Sequence, residues 1–238
     1  MRITLGAATD VGLVRAGNED AFLLLPERGL AAVCDGMGGH AFGEEASALA
    51  VATLKAFPWQ DVVQGEESLF LKEALHQSND EILKKAREPG HHGMGTTAVC
   101  FWRHGSNQVL IGHVGDSRCY LVRKGKAVLL TDDHSMAKLV SKNGGIPYEM
   151  AVKAWPTNIL SQALGTCQVI EPSIGKVTVQ AGDMLILCSD GFSNEVGDDR
   201  IAGLVEGLDA TAAAERLVRE AVLAGGRDNV TVVVGLVA

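Results

Sequence analysis

The sequence predicts an α+β fold layered around antiparallel sheets, and three observations carry that prediction. Short β-branched or alternating runs, bounded by Gly, Asp and Asn, follow one another in hairpin-like series. Segments with helical spacing stand in separate blocks, an order that disfavours a parallel doubly wound sheet. Hydrophobic residues make up 47% of the 238 and charged residues 21%, which supplies a sizeable core and argues against disorder.

Taken in order, strands are expected at 3–9, 21–25 and 30–34. Ala46, Leu49, Ala50, Thr53, Leu54 and Phe57 then share one face of a helix over 43–57. Leu71, Ala74, Leu75, Ile82, Leu83 and Ala86 stripe a second helix. Strands resume at 96–102, 108–114 and 118–122, with a hairpin turning at Lys124-Gly125. Residues 136–166 hold Gly144-Gly145, Pro147 and Pro156 with weaker periodicity, and read as a flap inserted on the domain. A strand at 184–189, a helix over 212–223 stopping at Gly225-Gly226, and a strand at 230–237 complete the chain. No repeat, low-complexity segment or linker interrupts it, so residues 1–238 are expected to form one domain.

The net charge of −8 argues against nucleic acid or an anionic membrane as a main partner, because both select clustered Lys and Arg. The N-terminus lacks the basic start and apolar stretch of a signal peptide, and no run approaches the roughly 18 apolar residues of a membrane span. Five cysteines, an odd number without CxxC spacing, read as free thiols in a reducing compartment. The expectation is a cytoplasmic protein.

Four places join an apolar run to Asp followed or preceded by Gly, Asn or Ser: Asp35 in "AAVCDGMGGH", Asp116 in "IGHVGDSRCYLV", Asp190 in "MLILCSDGFSNEV" and Asp228 in "GGRDNVTVVV". Glu19 and Asp20 in "RAGNEDAF" add a fifth acidic spot before a strand. Any one Asp-Gly is usually a turn. Repetition changes the reading, since carboxylates converging at strand ends repel unless a cation binds. The donors are all oxygen, which suits hard ions such as Mg2+ or Mn2+ and not Zn2+. Gly36 lets the backbone turn so that its carbonyl reaches an ion. Two such ions roughly 3.5–4 Å apart activate water and clamp a phosphoryl oxygen. Arg15, four residues before Glu19, reads alone as a surface cation and beside these acids as a phosphate clamp.

The stretches "GLVRAGNEDAF", "VCDGMGGHAFGEEAS", "GMGTTAVC", "GHVGDSRCYLVR", "LTDDHSM", "NILSQALGT", "GDMLILCSDGFSNEV" and "GGRDNVTVVV" run from about Gly12 to Val234. In order and spacing they resemble the metal-dependent protein phosphatases, the PPM or type 2C family, in their compact bacterial form. The resemblance implies a four-layer α-β-β-α sandwich, two antiparallel sheets flanked by helix pairs, with the metal site at one end. It implies hydrolysis of protein phosphoserine and phosphothreonine with two Mn2+ or Mg2+ ions per chain and a weaker third. By position, Asp35 would bridge the ions, Asp190 and Asp228 would hold the first, and the Gly36 carbonyl the second. Glu19 and Asp20 would act through water, Asp116 would serve the third ion, and Arg15 would bind substrate phosphate. Asn229 would support the site from the substrate side, or simply start the last strand. Gly95-Thr96-Thr97 fixes a strand start, and His134 and Ser135 shape the chain before the flap.

Three departures from the family pattern stand out. Met37 occupies the place of a His that animal relatives offer as general acid. His40 then either protonates the leaving alkoxide, contacts substrate, or closes the loop before the helix. Asn194 replaces an acid of the third-ion site. The flap reads Trp155-Pro156-Thr157-Asn158, without the Arg of many bacterial relatives. The expected partners are phosphoproteins and a cognate Ser/Thr kinase, with the chain acting as a monomer. The alternative is a phosphoprotein-binding pseudophosphatase, which intact metal acids disfavour.

Overall fold

The structure, a computed structural model, describes residues 1–38, 41–156 and 159–238. The elements in chain order are β1 (Ile3–Asp10), β2 (Asp20–Leu25), β3 (Leu30–Met37), α1 (Ala41–Ala56), α2 (Glu67–Ala86), β4 (Gly95–Thr96), β5 (Ala98–His104), β6 (Gln108–Val114), β7 (Arg118–Arg123) and β8 (Lys126–Leu129). They continue with α3 (Met136–Gly144), α4 (Tyr148–Ala154), β9 (Ser173–Thr178), β10 (Met184–Cys188), α5 (Asp190–Ser193), α6 (Asp198–Val205), α7 (Ala210–Ala224) and β11 (Val230–Val237).

The strands form two antiparallel sheets. One runs β1-β11-β10-β7-β8; the other runs β2-β3-β5-β6-β9, with β4 pairing onto the end of β3. Alternation along each strand sends side chains to opposite faces. On β5, Ala98, Cys100 and Trp102 pack under α1 and α2, while Val99 and Phe101 face the other sheet. Three apolar layers result: one between the α1–α2 pair and its sheet, one between the sheets, and one between the second sheet and α6–α7. This is the expected four-layer α+β sandwich. Phe101 reaches across the central layer to β11 at Gly235, where a Cβ would come 2.6 Å from its Cζ.

Four differences from the sequence reading have local causes. The strand expected at 30–34 runs on to Met37, so Asp35 lies inside β3 and not at its end. The strand expected at 96–102 breaks at Thr97, whose hydroxyl turns to Asp35 and Ser117. β9 has no counterpart among the expected strands because it is an edge strand with exposed Gly175 and Lys176 and little apolar alternation. The first part of the flap expected at 136–166 is helical: α3 begins at the Ser135 cap, whose hydroxyl accepts from Lys138 N, and ends at a left-handed Gly145, after which Pro147 opens α4. Nor is the flap wholly peripheral, since Leu164 is fully buried in the layer beneath α1 and α2.

Candidate metal centre

The acids singled out above meet at one end of the sandwich, and both sheets contribute. Asp20 and Asp35 face each other in the β2–β3 register. Asp116 lies where the chain crosses from β6 in one sheet to β7 in the other, Asp190 follows β10, and Asp228 precedes β11. Glu19, Asp35, Asp116, Asp190 and Asp228 line a cavity of about 1020 Å³, together with Gly36, Met37, Arg15 and Asn229. Arg15 is the only Lys or Arg among the described residues lining it. Asp20 does not line the cavity. His40, the expected proton donor, and Thr157 and Asn158 of the flap lie outside the described residues.

Hydrogen bonds fix the backbone of these acids. Thr97 Oγ1 accepts from Asp35 N at 3.0 Å, and Thr96 Oγ1 donates to Asp35 O at 2.9 Å. Thr97 Oγ1 also pairs with Ser117 Oγ at 2.7 Å, next to Asp116. The two threonines thus position Asp35, a task the strand-start reading did not foresee. Ser189 Oγ donates to Asp20 Oδ2 at 2.8 Å and accepts from Thr231 N at 3.0 Å. Ser189 carries no sequence signal beyond adjacency to Asp190.

Two expectations change. Gly36 was read as a turning residue, but the strand passes straight through it and the turn falls at Gly38, with φ of 125°. Gly36 is needed for close approach: a Cβ there would lie 2.1 Å from Gly43 O and 2.5 Å from Glu19 O. Asn229 was expected on the substrate side. Its amide hydrogens instead go to Val11 O and Gly17 O, both at 2.9 Å, and its Oδ1 accepts from Glu19 N at 2.8 Å. Asn229 therefore holds the loop that carries Arg15 and Glu19.

The electrostatics are those of acids gathered without a counter-charge. Burial, then the charges of Asp20, Asp190, Asp116 and Asp228, pushes Asp35 well above the usual carboxylate range. Burial also pushes Asp20 up to about 7, with Asp190 and Asp228 adding to it, and pushes Asp116 up to about 7 beside Asp190 and Asp133. Asp190 is raised by burial and by Asp228. Arg15 Nη2 donates to Asp228 Oδ2 at 2.7 Å at the exposed rim and leaves the interior acids uncompensated.

These residues fit hard cations. Among the described residues no three His, Cys, Asp or Glu side chains already close on a common ion position. Yet Asp20 Oδ1 is buried without a hydrogen-bond partner, and the carboxylates of Glu19, Asp35, Asp116, Asp190 and Asp228 line the cavity with oxygen. A buried orphan carboxylate oxygen beside raised carboxyls is costly unless a cation arrives, and the donor chemistry is that of Mg2+ or Mn2+.

The comparisons agree with this geometry. The Protein phosphatase 2C family matches residues 15–224. The chain is 37% identical over 238 residues to the serine/threonine protein phosphatase PstP of Mycobacterium tuberculosis, covering 98% of this chain and 45% of that protein. It thus spans less than half the length of that relative. It is 34% identical over 231 residues to the protein phosphatase PhpP of Streptococcus pneumoniae, covering 94% and 93% of the two chains. The crystal structure of the PstP catalytic domain in complex with two manganese ions superposes with a TM-score of 0.84 at 36% identity, covering 98% of this chain and 97% of that one. With the family matched over most of its length and the acids gathered at one end of the predicted sandwich, this chain belongs to the protein phosphatase 2C family.

Proposed function

We propose that the chain hydrolyses phosphoserine and phosphothreonine esters on proteins with the help of two Mn2+ or Mg2+ ions. The observation that carries the proposal is the set of six cavity-lining carboxylates, Glu19, Asp35, Glu44, Asp116, Asp190 and Asp228, backed by the orphan Asp20 Oδ1, around a space whose only Lys or Arg among the described residues is Arg15. The manganese-bound relative and the family match support it.

In this reading Asp35 would bridge the ions, Asp190 and Asp228 would hold one, the Gly36 carbonyl would serve the other, and Glu19 and Asp20 would complete the set through water. Asp116 would serve a third, weaker ion. Bound ions offset the carboxylate charge, lower the pKa of a water and polarise a phosphoryl oxygen. The remaining work falls to the chain. Thr96 and Thr97 hold Asp35 in place, and Asn229 holds the loop bearing Arg15. Arg15 leaves Asp228 to fork onto the phosphate. The pair is half exposed, so parting it costs only about 0–1 kcal/mol. A cognate Ser/Thr kinase, cytoplasmic placement and monomeric action belong to the same proposal. Among the described residues no helix is long and apolar enough to cross a membrane.

The test is hydrolysis of phosphothreonine peptides against phosphotyrosine peptides and small esters, with Asp35→Asn as the blank. EDTA should abolish turnover and manganese restore it. Turnover that survives chelation overturns the reading. A pseudophosphatase would bind the phosphopeptides and release no phosphate.

A further inference from the structure

The segment Asp132-Asp133-His134-Ser135 leads into the flap and passes beside the turn that carries Asp116. We propose that His134 is a positioning residue that fastens the flap's return limb to the Gly115–Asp116 turn, so that the flap and Asp116 are set as one unit. This rests on the phosphatase reading, in which Asp116 is an ion donor.

The backbone N–H, the carbonyl and Nδ1 of His134 all serve this junction. Its N–H donates to Gly115 O at 2.9 Å, and its Nδ1 accepts from Gly115 N at 3.2 Å, so backbone and ring grip the residue before Asp116 from both sides. The same Nδ1 accepts from Gln162 Nε2 at 2.9 Å, and His134 O accepts from Ser161 N at 2.7 Å. Ser161 and Gln162 both line the cavity. With Nδ1 accepting twice, the ring proton sits on Nε2 and is donated to Ser173 Oγ at 2.9 Å. The ring stacks on His113, with centroids 4.5 Å apart. Burial, then His113, lowers the His134 pKa to about 4, which keeps Nδ1 free to accept at neutral pH.

The neighbours complete the clamp. Asp133 accepts from Arg118 Nε at 3.0 Å and Nη2 at 2.7 Å, tying the same segment down on the far side of Asp116. Gly115 lies against Thr97, the residue that accepts from Asp35 N. A contiguous path of contacts therefore runs from the flap limb through His134 and Gly115 to the acids. A histidine that merely filled the core would not need its backbone N–H, its carbonyl and Nδ1 all on these two segments.

The test compares His134→Leu, which keeps bulk and loses the acceptor, with His134→Asn, whose Oδ1 can take the place of Nδ1. In metal-free protein, amide hydrogen exchange over 114–118 and over 159–164 should rise together by about ten-fold in His134→Leu, with β10 and β11 unchanged. His134→Asn should restore slow exchange at 114–118. The manganese midpoint for peptide hydrolysis should rise about ten-fold in His134→Leu. Combining it with Asp116→Asn should add less than about two-fold, because the two act through one group. Unchanged exchange, a rise confined to the flap, or fully additive midpoints overturn the proposal. If His134→Leu does not fold, Ser173→Ala, which removes only the Nε2 partner, is read by the same exchange, and no change at either segment counts against it. A wild-type protein that hydrolyses no phosphopeptide sinks the phosphatase reading and leaves the exchange result to judge His134.

Discussion

Replacing Asp116 by Asn should stabilise the metal-free protein, and the size of the gain should depend on pH. Burial, Asp190 and Asp133 push the Asp116 carboxyl from 3.8 up to about 7. Between about pH 4 and 7 the folded state keeps a proton that the unfolded chain has released. The group's contribution is therefore full below about pH 4 and is lost as pH rises toward 7. Moving a carboxyl over that range corresponds to at most about 4 kcal/mol. The wild-type curve alone would hide this. His113 and His134 have lowered pKa values, His134 about 4, so they take up protons on unfolding and make stability rise with pH below about 6.5. The difference between variant and wild type cancels the histidines. In EDTA, urea melts should show no difference at pH 4 and an advantage to Asp116→Asn approaching about 4 kcal/mol at pH 7.5, or roughly 10 °C in Tm. Saturating manganese should reverse the order, since only the wild type retains the full donor set. A wild type as stable as the variant at pH 7.5 in EDTA refutes the reasoning.

Three further outcomes follow from the site. Asp190→Asn should lower kcat by about 100-fold or more while the fold persists by circular dichroism. Arg15→Ala should raise KM for a phosphothreonine peptide by roughly ten-fold or more, as loss of a charge-assisted phosphate contact predicts. The melting temperature should hold, because the Arg15–Asp228 pair is exposed. Asn229→Ala should cost about 2 kcal/mol or more in a urea melt, since Glu19 N, Val11 O and Gly17 O lose their partner together; a loss under about 0.5 kcal/mol would show that the loop is held elsewhere.

The sequence spoke most clearly where one residue type had one physical job. Asp35, Asp190 and Asp228 stood out because an apolar run that meets an acid is costly without a cation, and the structure gathers all three around one cavity. The helix over 212–223 was legible because Gly225 stops it; its true start at Ala210 depends on the Asp209 side chain accepting from Ala212 N, a cap that periodicity does not register. Thr97, Asn229 and His134 were harder to read. Their partners lie 62, 218 and 28 residues away in Asp35, Val11 and Gln162, and no local pattern announces a contact at such separation. β9 was invisible for a different reason: an edge strand needs no apolar alternation to pair on one side.

The candidate donors are split between two plates. Asp20 and Asp35 ride on one sheet, while Asp190 and Asp228 flank neighbouring strands of the other. Any slip of one sheet over the other changes the gap between the two halves. Phe101 seated on Gly235 acts as a dowel against that slip, roughly 20 Å along β11 from Asp228. A methyl group at 235 would press on the dowel and shear the plates, detuning the spacing of the carboxylates while leaving each of them intact. The dimensions of the candidate metal centre are thus a property of the molecule's interior, adjustable from a point that lies away from the cavity.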